Sequence, residues 1–187
     1  MKVEKIAIGS IIASLYAIGV ISLAPISFLL FQVRVADALI PLSIIFGMPA
    51  ILGVTLGNIV ANIYGGLGYI DIIGGSIANF IAAYVGWKIG SKDFAGSQFT
   101  ATIAQNLIVS GIVGSYLAFL FNVPLEAGFI GVLAGSTVSM NIIGYILVLA
   151  IKKSGVHNRL QGKHISNPPS SDSLSSSKTS NNLLDAQ

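Results

Sequence analysis

The chain has no cysteine and only two histidines, His157 and His164, both beyond its last apolar stretch. The first absence excludes disulfides, thiolate metal sites and thiol catalysis. The second leaves the apolar region without the commonest acid–base and metal-ligating side chain. Charge is equally scarce: 9% of the 187 residues are charged, against 53% hydrophobic. The net charge of +3 comes from basic residues flanking apolar stretches, not from a patch, which argues against a nucleic-acid partner. No Gly-rich loop ends in Lys-Ser or Lys-Thr, so ATP is not bound in the P-loop manner. No His-Glu-x-x-His motif and no nucleophile elbow with partners is present. Neither an enzyme nor a metal or cofactor site is therefore expected, and the weak internal echoes do not support an inverted-repeat carrier.

Apolar length is what the chain does have. With a mean hydropathy of +0.83 it lies outside the soluble globular class, and its apolar runs reach the ~20 residues that a membrane helix needs. The expected fold is an all-α membrane protein of six transmembrane helices: about 6–23, a short 34–46 interrupted by Pro41, 50–64, 70–89, 100–121 and 126–151. The first run is too long for a cleavable signal, and Pro25 follows Ala24 where cleavage would fall, so it reads as a retained span. Residues 1–153 form the membrane domain. From 154 onward Ser, Asn and Pro dominate, which reads as a disordered cytoplasmic tail. With six spans, Lys2, Lys5, Lys88, Lys92, Lys152, Lys153, Arg159, Lys163 and Lys178 fall on one side and Arg34 alone on the other. The positive-inside rule then makes both termini cytoplasmic.

That topology gathers the polar residues of the spans at the outer side. Arg34 is the only basic residue between Lys5 and Lys88, and Asp37 follows it by three positions. An ionised side chain costs on the order of 3 kcal/mol at mid-bilayer, so such groups are paired, interfacial or functional. On a helix the two share a face, which admits either a neutralised ion pair or a ligand-binding edge. Gln32, Asp71 and Glu126 join them on that side, with Asn62 a turn below and Asn79 about 13 Å down. Asn58 and Asn62, four apart, are interhelical glue or pocket lining. Asn106 falls in the inner half and is structural. In the first span Gly9, Ala13 and Ala17 form a small-residue ridge that another helix can approach closely.

These features resemble the queuosine-precursor transporter (QueT) family, the substrate-binding S subunits of energy-coupling factor (ECF) vitamin transporters. The resemblance covers roughly residues 5–151. It rests on Gln32-Val33-Arg34-Val35-Ala36-Asp37-Ala38-Leu39, on Leu56-Gly57-Asn58 with Asn62, on Tyr69-Ile70-Asp71-Ile72-Ile73-Gly74, and on Ala13 with Ala17. Asp37 stands where the family usually has Glu, and Gly135-Ser136 where a Gly-Glu pair is associated with the last span. The resemblance implies capture of a 7-deazaguanine at the outer side by Gln32, Arg34, Asp37, Asn62, Asp71 and Asn79, without a cofactor. It also implies a transmembrane coupling subunit and two ATPase subunits as partners, with Gly9, Ala13 and Ala17 facing the coupling subunit. A guanine-like edge offers two parallel N–H donors that a carboxylate accepts, and either Asp37 or Asp71 can supply it. Tyr69 or Phe31 can stack on the ring. The alternatives are an S subunit for a flavin, biotin or thiamine, or a stand-alone carrier whose Asp37 and Asp71 bind protons or cations.

Overall fold

In lipid every backbone N–H and C=O must be satisfied internally, and long apolar runs do this as helices. The computed structural model describes residues 3–28, 34–92 and 94–154. In chain order these form α1 (Val3–Ser22), α2 (Ala24–Ser27), a 3₁₀ segment (Val35–Leu42) running into α3 (Ser43–Phe46), α4 (Met48–Gly65) and α5 (Tyr69–Gly90). They continue with α6 (Ser97–Leu120), α7 (Leu125–Ser136), a π-helical segment (Thr137–Gly144) and α8 (Tyr145–Lys153). No strand occurs among the described residues. The described residues belong to a unit spanning Met1–His157; the second unit, Asn158–Gln187, and with it the expected tail from 155 on, lies outside them.

Among the described residues five helices are long and apolar enough to cross a membrane: α1, α4, α5, α6 and the continuous Leu125–Lys153 run. The second expected span differs. Val35–Phe46 is apolar but short, covering roughly 22 Å at 2.0 Å per 3₁₀ residue and 1.5 Å per α residue. A hydrocarbon core is ~30 Å thick. Pro41, inside the segment, has no N–H to give, and Gly47 at φ 61° with Pro49 just beyond ends it and starts α4.

Glycine contacts fix the helix directions. A Cβ on Gly53 would lie 2.7 Å from the Gly9 carbonyl oxygen, and one on Gly57 would lie 2.6 Å from that of Ala13. Rising numbers on α1 thus meet rising numbers on α4, and the two helices run parallel. Ala36 lies against Gly19, and Ile44, near the other end of the short segment, lies against Gly90. The segment therefore carries the chain back along α1. The remaining neighbours are antiparallel: Gly75 meets Asn62, Gly90 meets Ala101, and Gly114 meets Phe129. The 3₁₀ and π segments pack on each other, with a Cβ on Gly144 lying 2.8 Å from Pro41 Cγ.

The small-residue ridge of α1 lies within this packing. A Cβ on Gly9 would meet the Pro49 carbonyl at 3.1 Å, Ala13 is half-buried and Ala17 is buried. Gly9 and Ala13 thus lie at the seam with α4. The face that α1 leaves open carries Ala7, Ile11, Ser14, Leu15 and Ile18. Only 22% of the α1 window is buried, against 39–44% for the other four spans.

Candidate functional site

One end of the bundle collects polar side chains from five elements. Tyr16 comes from the second half of α1, Arg34 and Asp37 from the start of the 3₁₀ segment, Asn58 and Asn62 from the end of α4, Asp71 and Asn79 from α5, and Tyr116 from the end of α6. Tyr16, Arg34, Asp37, Asn58, Asn62, Asp71 and Asn79 are all buried. A polar group without a partner is costly in such surroundings, so the connections matter.

Tyr16 is the hub of one half. Its hydroxyl donates to Asp37 Oδ1 at 2.5 Å and accepts from Asn79 Nδ2 at 2.9 Å. Asn58 Oδ1 lies 3.4 Å away, but the phenol has one proton and the shorter, charge-assisted contact takes it. In the other half Arg34 Nη2 donates to Asn62 Oδ1, and its guanidinium lies 5.5 Å over the Phe28 ring. Asn62 Nδ2 donates to the Asp71 carbonyl at 2.8 Å, and the Tyr116 hydroxyl donates to Asp71 Oδ1 at 2.8 Å. Gly75 makes room between the halves. A Cβ there would lie 2.6 Å from Asn62 Nδ2 and 2.9 Å from Asn58 Nδ2.

Three buried atoms of this cluster have no partner among the described residues: Arg34 Nε, Asn58 Nδ2 and Asp71 Oδ2. Two are donors and one is a carboxylate acceptor. Most buried polar atoms in folded proteins are paired, so a group of orphans in one place calls for a reason. The arrangement can accept an N–H at Asp71 while donating to an oxygen or ring nitrogen from Arg34 or Asn58.

Five of the six expected binding residues meet here: Arg34, Asp37, Asn62, Asp71 and Asn79. Gln32, like Phe31, lies outside the described residues. The ion-pair reading of Arg34 and Asp37 is corrected. Arg34 sits before the 3₁₀ segment in extended conformation and donates to Asn62, Asp37 is engaged by Tyr16, and no ion pair joins the two among the described residues. Tyr69 is 83% exposed and cannot stack inside the site, whereas Phe28 faces Arg34. Glu126 is exposed as well. Asn106 is a helix-packing residue, donating to Thr137 Oγ1 at 3.0 Å and accepting from Ser110 Oγ at 3.0 Å. Sequence reasoning missed Tyr16 and Tyr116. The available signal was a single phenol in each of two membrane spans.

The chain is thus a helical bundle with five candidate membrane-crossing helices among the described residues and a buried polar cluster near one end. The family comparison agrees. The QueT transporter family model matches residues 6–153, and the chain belongs to that family. Membership implies a transporter, not an enzyme, acting on a small molecule in a multi-pass membrane setting. No curated protein and no solved structure matches the chain.

Proposed function

We propose that the chain is the substrate-capture subunit of an ECF-type transporter that imports a queuosine or archaeosine precursor of the 7-deazaguanine type. The observation that carries this reading is the trio of unpartnered buried atoms, Arg34 Nε, Asn58 Nδ2 and Asp71 Oδ2. A guanine-like edge presents N–H donors to a carboxylate and an exocyclic oxygen to a cationic or amide donor. Asp37 and Asp71 each accept from a tyrosine, but Asp71 Oδ2 is the buried carboxylate oxygen left without a partner among the described residues, so Asp71 is the carboxylate that reads the ring. Phe28, already beside Arg34, supplies an apolar face.

The short Val35–Phe46 segment is the sixth crossing in this reading. The parallel run of α1 and α4 supports it, because the chain must return between two helices that point the same way. Six crossings put both termini on one side, and the basic-residue bias makes that side cytoplasmic. The site then faces outward. In this reading the driving force comes from a partner, a transmembrane coupling subunit with two ATPases. The least-covered span, α1, offers that partner its open face beside the edge of the Gly9, Ala13 and Ala17 stripe.

Isothermal titration of the purified protein with 7-deazaguanine, with guanine and riboflavin as competitors, tests the substrate. Asp71→Asn removes the acceptor and should weaken binding by ~2 kcal/mol, about thirtyfold. Undiminished affinity in that variant would overturn the site, and a preference for riboflavin would overturn the substrate. Uptake by the full complex that requires ATP and survives collapse of the proton gradient separates this reading from a stand-alone carrier.

A further inference from the structure

Asp71 faces an unexpected way for its place in the chain. It stands in the first turn of α5, just after the Gly68 N-cap. An acid there ordinarily turns back on its own helix start, where free N–H groups and the positive end of the dipole attract it. Here Oδ1 accepts from Tyr116 of α6 at 2.8 Å, and Oδ2 has no partner among the described residues. The carboxylate therefore does not cap its own helix, and Asp71 is 0% exposed.

Two neighbouring helices enforce that direction. From α4, Asn62 Nδ2 donates to the Asp71 carbonyl at 2.8 Å and fixes the main chain. From α6, Tyr116 fixes the side chain, and α5 is shaped to receive that phenol. A Cβ on Gly74 would lie 3.0 Å from Tyr116 Cδ1 and Cε1, and one on Gly75 would lie 3.3 Å from its hydroxyl. The second point is also 2.9 Å from Asn58 Nδ2, one of the unpartnered donors. Adjacent glycines thus let the phenol lie against α5 with its hydroxyl close to an amide that lacks an acceptor. A contact that only joined α5 to α6 would not call for an acid, because the second carboxylate oxygen is then buried at a cost.

We propose that Tyr116 is a positioning residue for ligand capture. By holding Asp71 Oδ1 it keeps the carboxylate off its own helix start and presents Oδ2 to the N–H donors of the ligand. This role rests on the reading of Asp71 as the carboxylate that meets the ring. It makes discrimination between rings depend on a residue that acts through Asp71. Without the phenol hydroxyl the carboxylate is free to swing back to the start of α5, and the site keeps its donors but loses its acceptor.

Isothermal titration of the full chain with 7-deazaguanine and 7-deazahypoxanthine tests this role, since the second ring lacks the exocyclic amine. The wild-type protein should prefer 7-deazaguanine by about tenfold or more. Tyr116→Phe should shrink that preference to about threefold or less, and Asp71→Asn should shrink it likewise. A phenol that only joins helices would, when lost, weaken both rings by the same factor; a preference left intact in Tyr116→Phe would overturn the positioning role. Gly74→Ala keeps the phenol but sets a methyl 3.0 Å from its ring, and it should reduce the preference in the same direction. If Tyr116→Phe does not fold, an unchanged preference in Gly74→Ala overturns the role instead. Loss of the preference in Asp71→Asn beside its survival in Tyr116→Phe would remove the positioning role alone. Wild-type protein that binds neither ring, or both equally, would overturn the reading of Asp71 and this role with it.

Discussion

The Tyr16–Asp37 contact offers a sharp measure of how the polar cluster is held. At 2.5 Å, with an acid as acceptor and both residues buried, it is a charge-assisted bond of the class worth about 1.5–3 kcal/mol. Ordinary interhelical hydrogen bonds in membrane bundles average only ~0.6 kcal/mol, because unfolded chains in lipid also find partners. A double-mutant cycle with Tyr16→Phe and Asp37→Ala, read by denaturant unfolding in mixed micelles, separates the two classes. The Asp37→Ala cavity and the changed field at Arg34 occur in both the single and the double variant, so they cancel. Tyr16→Phe should cost about 2–3 kcal/mol with Asp37 present, including the bond from Asn79. Without Asp37 it should cost under ~1 kcal/mol, leaving a coupling near 2 kcal/mol. A coupling at or below ~0.6 kcal/mol would show an ordinary interhelical contact and refute the assignment of Tyr16 as the group that holds Asp37.

Other consequences can be measured on the same purified protein. Gly57→Ala places a methyl 2.6 Å from the Ala13 carbonyl and should cost about 1–3 kcal/mol of stability; Gly111→Ala, with nothing within 4 Å, should be neutral or stabilising by up to ~1 kcal/mol. Equal effects would refute the close α1–α4 seam. Tyr69→Cys should react with an impermeant thiol reagent added outside intact cells and Ser170→Cys should not; the reverse pattern overturns the orientation. Deleting the residues after Lys163 should leave the unfolding midpoint and ligand affinity unchanged, and a clear fall in either would show that the tail contributes to the bundle.

Much of the frame was legible because lipid imposes simple rules on sequence. The Gly9, Ala13 and Ala17 ridge marked a close helix crossing, and Asn58 with Asn62 marked amides in need of partners. Asp71 and Asn79 lay on the face of α5 that turned out to be buried. The helix that α1 would meet was not legible. Its own stripe looks the same whether it packs inside the chain or against another subunit, and only the parallel α4 decides that. Tyr16 and Tyr116 escaped for a related reason. A single phenol in an apolar span carries no periodic signal, and its importance arises from partners 21 and 45 residues away. Tyr69 misled in the opposite way, since the glycine-led start of α5 turns it outward while Phe28 packs by Arg34. The shortness of the second apolar segment was visible in Pro41 and Gly47, but its 3₁₀ winding carries no periodic signal in the sequence.

The orphaned atoms also constrain what the site is for. Each buried donor or acceptor without a partner costs about 1–3 kcal/mol, so Arg34 Nε, Asn58 Nδ2 and Asp71 Oδ2 are a burden that helix packing alone would not keep. Elsewhere in the bundle the picture is mixed: Asn106 uses both its donor and its acceptor within the protein, while Gln105 Oε1 and Asn141 Oδ1 are left without a partner among the described residues. The cluster differs in holding both donors and a carboxylate acceptor among its unpartnered atoms. A molecule that pairs the three atoms stabilises the folded bundle by mass action, by about 2.7 kcal/mol at one hundred times its dissociation constant. Water can serve the same atoms, so affinity comes from the difference between ligand and water as partners. A planar heterocycle with fixed donors and acceptors gains there, because it presents its groups without the ordering cost of several separate waters.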